Sequence, residues 1–155
     1  MPRVIVIGGA NVDIKGRSSG RYVAGSSNPG RVTLSAGGVG RNIAENLARL
    51  GLSVSLITAL GEDTNGALLR VACAAAGVDL SPARVTQEPT GTYLAVLDER
   101  GEMVSAVSDM RAMEAFGPSH LDEHADELAR ADMLVADCNL SIDCLAWLAA
   151  HSART

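Results

Sequence analysis

With 155 residues the chain makes one domain or a large piece of one, and 47% apolar against 20% charged residues suffices to pack a core. A net charge of −5 gives no field for nucleic acid or an anionic membrane, and 3% aromatics leave few rings for bases to stack on. Nucleic acid and membrane are therefore excluded as expected partners.

The opening Met1-Pro-Arg-Val shows no secretory leader pattern, and residues 4–7, β-branched and unbroken, predict a strand buried on both faces. Residues 16–29 are rich in Gly, Ser and Arg. The turn signal Asn28-Pro29-Gly30 separates two short expected strands, 22–24 and 31–34, so this polar hairpin reads as a flap or an interface. Next comes Ser35-Ala-Gly-Gly-Val-Gly-Arg-Asn42, which runs into a helix. Val39, Ile43, Leu47 and Leu50 share its apolar stripe, Arg41, Glu45 and Arg49 lie off it, and Gly51 closes it. Residues 53–60 predict one strand, 61–64 a turn, 65–76 a helix ended by Gly77, and 78–85 an extended segment. The most apolar stretch, 68–78, carries Arg70 and is too short to span a bilayer.

Residues 92–98 and 103–107 read as a hairpin joined by Glu99-Arg100-Gly101-Glu102. Ser119-His120-Leu121-Asp122 resembles a capping box opening a helix to about Arg130. A buried strand at 133–136 and a last helix from Ser141 to about His151 complete the order. This succession belongs to an α/β layered domain with a mainly parallel sheet. No strand follows the last helix, so the sheet is expected to be unfinished, with an unpaired edge. Cys73, Cys138 and Cys144 lack disulfide or zinc-ligand spacing and read as buried thiols in a reducing cytoplasm.

Ligands of open α/β sheets bind beyond the carboxyl ends of the strands. Asn11 and Asp13 follow the first strand, Gly37 to Asn42 lead into a helix, and Asp137 and Asn139 follow the strand at 133–136. An ionised carboxylate only accepts hydrogen bonds and sugar hydroxyls donate them well, so Asp13 suits a vicinal diol. Asn11 and Asn42 offer mixed donors and acceptors, and Gly37, Gly38 and Gly40 let a sugar approach backbone amides at a helix start. Each also has a plainer reading: Asn and Asp as turn formers, the glycines as a tight connection. The glycines do not form a dinucleotide fingerprint, since Ile43 fills its last position, and no Walker lysine follows. His120, His124 and His151 read as exposed helical residues, Met103, Met110 and Met113 as packing, and no metal site is expected. Asp109, just after a strand, is a candidate pocket wall.

The combination of Gly8-Gly9-Ala10-Asn11-Val12-Asp13, Gly37-Gly38-Val39-Gly40-Arg41-Asn42-Ile43-Ala44 and Gly61-Glu62-Asp63-Thr64-Asn65-Gly66 resembles the N-terminal half of the PfkB, or ribokinase-like, kinases of carbohydrates and nucleosides. Ser27-Asn28-Pro29-Gly30, Asp109-Met110 and Val135-Ala136-Asp137-Cys138-Asn139 make it look closest to the pseudouridine kinases of that family. The resemblance implies a Rossmann-like core with a small β lid, here 16–34 and about 91–108, that closes over the sugar and forms a homodimer contact. It implies transfer of the γ-phosphoryl of ATP, with Mg²⁺, to the 5′-hydroxyl of pseudouridine or a related nucleoside or sugar. Asn11, Asp13, Gly37, Gly38, Val39, Gly40, Asn42 and Asn139 fall at positions that bind substrate, with Asp109 and residues 26–28 toward the base. The family's Gly-Ala-Gly-Asp turn, which carries the catalytic base and the anion hole, has no match here. The chain is expected to bind substrate, to hold no cofactor of its own and to be inactive alone. A non-catalytic sugar-binding or assembly module, or one subunit of a split kinase, stays open beside this reading; a dinucleotide-binding oxidoreductase is disfavoured by the motif.

Overall fold

The computed structural model describes residues 2–152. The chain runs β1 (Arg3–Ile7), β2 (Asn11–Ser18), β3 (Gly30–Gly37), α1 (Val39–Arg49), β4 (Ser53–Ile57), β5 (Ala59–Gly61), α2 (Thr64–Ala76), β6 (Val78–Asp79) and β7 (Arg84–Thr86). It continues with β8 (Gly91–Leu97), β9 (Met103–Asp109), α3 (Arg111–Glu114), α4 (Pro118–Asp122), α5 (Ala125–Leu128), β10 (Met133–Ala136) and α6 (Ile142–Ser152).

The apolar run of β1 is the middle of a parallel sheet ordered β10-β1-β4-β6. Successive side chains of a strand point to opposite faces, and here both faces are covered. Val4 and Val6 join Val54, Leu56, Ala44, Leu69 and Cys73, placing α1 and α2 on one side. Ile5 and Ile7 join Ile57, Phe116, Leu121, Cys144 and Leu148, placing the later helices on the other. The result is the expected α/β architecture with a mainly parallel sheet. β10 is its outer strand among the described residues, with Met133 exposed.

A second four-stranded sheet, ordered β3-β2-β8-β9, springs from the carboxyl end of β1. In it Leu34 opposes Ile14, Ile14 opposes Leu94, and Leu94 opposes Val107, so one face carries an apolar row across all four strands. The other face carries Asp13 in register with Ser35 and Tyr93, and Tyr93 in register with Ser108.

Local differences from expectation have identifiable causes. Residues 22–24 lie in loop and turn, not in a strand; the partner of β3 is β2, whose polar residues alternate with Val12 and Ile14. The strand expected over 53–60 breaks at buried Thr58, whose carbonyl accepts the Arg84 N–H at 2.8 Å and so starts the short β5–β7 pair. The extended segment at 78–85 turns between β6 and β7, where Asp79 accepts the Ser81 N–H at 2.8 Å. The helix expected over 119–130 is two short helices, because at His124 the N–H reaches back three residues to the Leu121 carbonyl at 3.0 Å. His120 and His124 are half-buried rather than exposed, and Cys138 is an exposed thiol, while Cys73 and Cys144 are buried. Met113 packs in the core but Met103 is exposed.

Candidate functional site

The chain proceeds from β1 to β4 and β6 on one side, and later adds β10 on the other side of β1. Between β1 and β10 the strand order reverses, and it is at such a point that open α/β sheets place their ligand crevice. Gly8 to Ala10 form one lip and residues 137–140 the other. Asp137, 4% exposed, stitches them together. Its Oδ2 accepts the N–H of Gly9 at 2.8 Å, the N–H of Gly40 at 2.7 Å and the Asn139 side-chain amide at 3.0 Å; its Oδ1 accepts the Asn139 N–H at 2.8 Å. A Cβ on Gly8 would lie 2.4 Å from the Asp137 carboxyl carbon, so the first lip must be bare.

Asn11 and Asp13 stand at the root of β2 on one face of the second sheet. The Asn11 amide donates to Asp13 Oδ1 at 2.7 Å. Asp13 is half-buried, and no cation pairs with it among the described residues, which leaves acceptor capacity for a ligand. Gly37, in register with Asn11, lies diagonally across the strand pair from it, where a Cβ would come within 2.6 Å of Asp13 Oδ1. Gly38 has φ +97° and a would-be Cβ 2.4 Å from the Gly9 carbonyl oxygen, which glycine alone accommodates.

Arg41 lies off the apolar stripe, yet it is buried, while Val39 and Leu50 of that stripe are exposed. Its Nε donates to the Gly37 carbonyl at 3.1 Å, and its remaining nitrogens bind Glu45 and the Asn42 side-chain oxygen. Hydrogen bonds from Arg41 and then Arg49 hold the Glu45 carboxyl below the usual carboxylate range, against a smaller opposing effect of burial. This network clamps the Gly37–Gly38 turn to α1. The signal in the sequence was the four-residue spacing of Arg41, Glu45 and Arg49 directly after the glycines.

The remaining candidates divide. Asn42 is exposed on the first turn of α1 and meets Asp13 only through Arg41 and Gly37. Asn139 is exposed at the second lip, beside Gly9. The backbone amides expected to greet a sugar at the helix start are already engaged, Gly40 by Asp137 and Arg41 by the Gly9 carbonyl at 3.1 Å. Asp109 is in register with Thr92 and so stands on the face opposite Asp13, its carboxylate bound by Arg111 at 2.9 and 2.7 Å. That hydrogen bond holds its carboxyl below the usual range, with burial opposing weakly. Asn28 spends its amide within its own loop, on Val23 and Ser26. Ser35, Tyr93 and Ser108, unmarked in the sequence, share the face of Asp13 instead.

The Gly61–Gly66 motif is a structural hinge. Asp63 accepts the Gly66 N–H at 2.7 Å, capping α2, and the Thr90 N–H at 2.8 Å, fixing the entry to β8. Burial alone would raise its carboxyl, but these amides outweigh it and hold the group below its ordinary value.

A parallel sheet with a reversal-point crevice, a bare glycine lip and a second sheet rooted above it is now joined by a match of residues 1–152 to the pfkB family carbohydrate kinase profile. The chain belongs to the pfkB family. It is similar to the pseudouridine kinase of Escherichia coli (strain K12), with 40% identity over 152 residues, 97% of this chain and 49% of that one. Among solved structures it superposes on a carbohydrate kinase from Agrobacterium tumefaciens with TM-score 0.90 and 33% identity, over 99% of this chain and 50% of that one. It also superposes on Arabidopsis thaliana ribokinase complexed with ribose and ATP, with TM-score 0.82 and 25% identity, over 97% of this chain and 51% of that one. The chain thus spans about half the length of the relatives it matches. The family confirms the ribokinase-like fold expected from the motifs.

The crevice offers acceptors and amide groups suited to hydroxyls. Among the described residues no three His, Cys, Asp or Glu side chains cluster as a metal site.

Proposed function

We propose that the chain carries the substrate-binding part of a kinase that phosphorylates the 5′-hydroxyl of a nucleoside or related sugar, with pseudouridine the first candidate. The observation that carries this reading is the crevice between β1 and β10, with the Asp13 carboxylate, paired only with an amide, at the root of the sheet above it. Asp13 and Asn11 would take the ribose diol, Gly37 to Gly40 with Val39 would form the close wall, and Asn42 and Asn139 would add hydroxyl contacts. The base would extend along the second sheet toward Tyr93 and Ser108; Asp109, bound to Arg111 on the reverse face, would reach it only after a rotation. The similarity to a pseudouridine kinase at 40% identity is what makes that substrate the first candidate.

ATP is the proposed phosphoryl donor, in keeping with the ribokinase neighbour solved with ribose and ATP. Mg²⁺ would supply charge neutralisation on the phosphates when bound; holding and orienting the acceptor is the share of these residues. Because a Gly-Ala-Gly-Asp turn is absent from the 155 residues, the chain alone is proposed to bind without transferring phosphate. The second sheet, residues 11–37 with 91–109, is the proposed lid. Its apolar row of Leu34, Leu94 and Val107, each exposed, would form a homodimer contact. Three free thiols suit a cytoplasmic setting.

Calorimetric titration with pseudouridine, uridine and ribose, paired with an ATP phosphorylation assay, tests the reading. Saturable binding of pseudouridine without turnover is the expected result. Turnover by the 155-residue chain would refute its inactivity, and failure of all three ligands to bind would refute the pocket.

A further inference from the structure

The far end of the second sheet carries an uncompensated pair of cations. Arg17 and Arg31 are partners in the β2–β3 register, just before the loop 19–29. Side chains directly opposite on antiparallel strands stand about 5 Å apart at their Cβ atoms, and like charges placed so destabilise the pairing. Among the described residues neither guanidinium is ion-paired to a carboxylate, although the chain has a net charge of −5.

The carboxylates close by are spent on the backbone. Asp98 Oδ1 accepts the N–H groups of Arg100 and Glu102 at 2.8 and 2.9 Å, and Glu99 Oε2 accepts the Tyr22 N–H at 3.3 Å. Arg17 touches this turn at the Glu99 carbonyl, to which its Nη2 donates at 2.7 Å. The chain around the pair is shaped. A cavity of about 330 Å³ is lined by Arg17, Ser18, Ser19, Arg31 and Glu99. Its loop wall is fixed by the Ser19 N–H on the Pro29 carbonyl at 2.8 Å and the Ser18 hydroxyl on the Gly20 carbonyl at 2.6 Å. Two guanidiniums against one carboxylate leave the cavity net positive, with room for a tetrahedral oxyanion and part of a molecule that carries it.

We propose that this cavity is a phosphate-binding site, in which Arg17 and Arg31 share the oxygens of one phosphate group, free or at the end of a phosphate ester. The anion removes the repulsion between the two arginines and ties β2, β3 and the β8–β9 turn together. The site is separate from the crevice. Four residues part Arg17 from Asp13 along β2, about 13 Å of strand, and Arg17 reaches farther out, onto the β8–β9 turn. A nucleotide whose ribose diol lay on Asp13 would not bring its phosphate there. The proposal therefore stands apart from the kinase reading.

The test titrates the 155-residue chain with inorganic phosphate and, separately, with phenyl phosphate, at constant ionic strength. Arginine side-chain N–H signals in NMR spectra and melting temperature are the readouts. Wild type should show saturable shifts of two arginine signals and a saturable rise in melting temperature, both weakening as ionic strength is raised. Arg17→Ser and Arg31→Ser should each bind at least about tenfold more weakly, and Arg31→Lys, which keeps the charge but not the fork, should fall between. Without phosphate, Arg31→Ser should melt no lower than wild type, because a repulsion has gone. Tighter binding of phenyl phosphate supports an ester as the occupant; tighter binding of inorganic phosphate supports the free ion. A non-saturable response shared by wild type and both serine variants overturns the proposal, as does saturable binding of unchanged affinity in both variants. So does a sedimentation shift toward monomer in the variants with no phosphate effect in wild type, which would make the pair a self-association contact. The titration uses neither nucleoside nor ATP, so its failure leaves the kinase reading intact.

Discussion

The root of the crevice and the far end of the second sheet are built on opposite terms. At the root, Gly8, Gly9, Ala10, Gly37, Gly40, Arg41 and Asp137 are buried, and an added Cβ at Gly8, Gly37 or Gly40 would fall under 3.0 Å from a neighbour. At the far end, residues 30–35 and 103–108 are exposed, with Val32, Leu34, Met103 and Val107 among the most open apolar side chains. The same strands serve both ends. Close packing is concentrated at the root and the far end is left open; on the proposed reading the first positions the ligand and the second meets a partner.

That contrast predicts a graded response to substitution. The largest effect belongs to Gly38→Val, which forces a β-branched residue to φ +97° against the Gly9 carbonyl; urea denaturation should show a loss of about 3 kcal/mol. Arg41→Leu leaves the Gly37 carbonyl without its side-chain donor and Glu45 with Arg49 alone, and should cost about 2 kcal/mol by the same measurement. Asp63→Ala removes the cap of α2 and should cost about 1 kcal/mol near neutral pH. The pH dependence follows from the sign of the shift. The Asp63 carboxyl lies below its ordinary 3.8 in the folded protein, so its contribution is full above that value and is lost as pH falls through the folded pKa. The difference between wild type and Asp63→Ala should therefore shrink in acid. A constant difference down to the acid transition would contradict this. Leu34→Ser and Val107→Ser, at the open end, should change stability by less than about 0.5 kcal/mol. Sedimentation should nonetheless show them shifting any dimer toward monomer.

What the sequence revealed, and what it hid, follows the same division between local and distant causes. The run at 4–7 announced β1 because a strand buried on both faces needs no alternation, and the glycines before α1 announced a close approach. β2 was hidden because Asn11 and Asp13 resemble turn residues, although their alternation with Val12 and Ile14 is that of a strand. Arg41 was hidden because a cation off an apolar stripe is ordinarily solvated; its burial depends on the Gly37 carbonyl and Glu45. The role of Asp137 had no local signal at all. Its donors Gly9 and Gly40 lie 128 and 97 positions away in the chain, and only the reversal of strand order brings them to it. Asp109 shows the converse. Its place after a strand was legible, but the register that turns it away from Asp13 was not.

Titration of pseudouridine into wild type and Asp13→Ala, with melting curves alongside, tests most directly whether the crevice beside Asp13 is a sugar site. The account predicts saturable binding by wild type, and an affinity lowered at least about tenfold in the variant by loss of charge-assisted hydrogen bonds, with the melting temperature nearly unchanged. Equal affinity in the two proteins would contradict it.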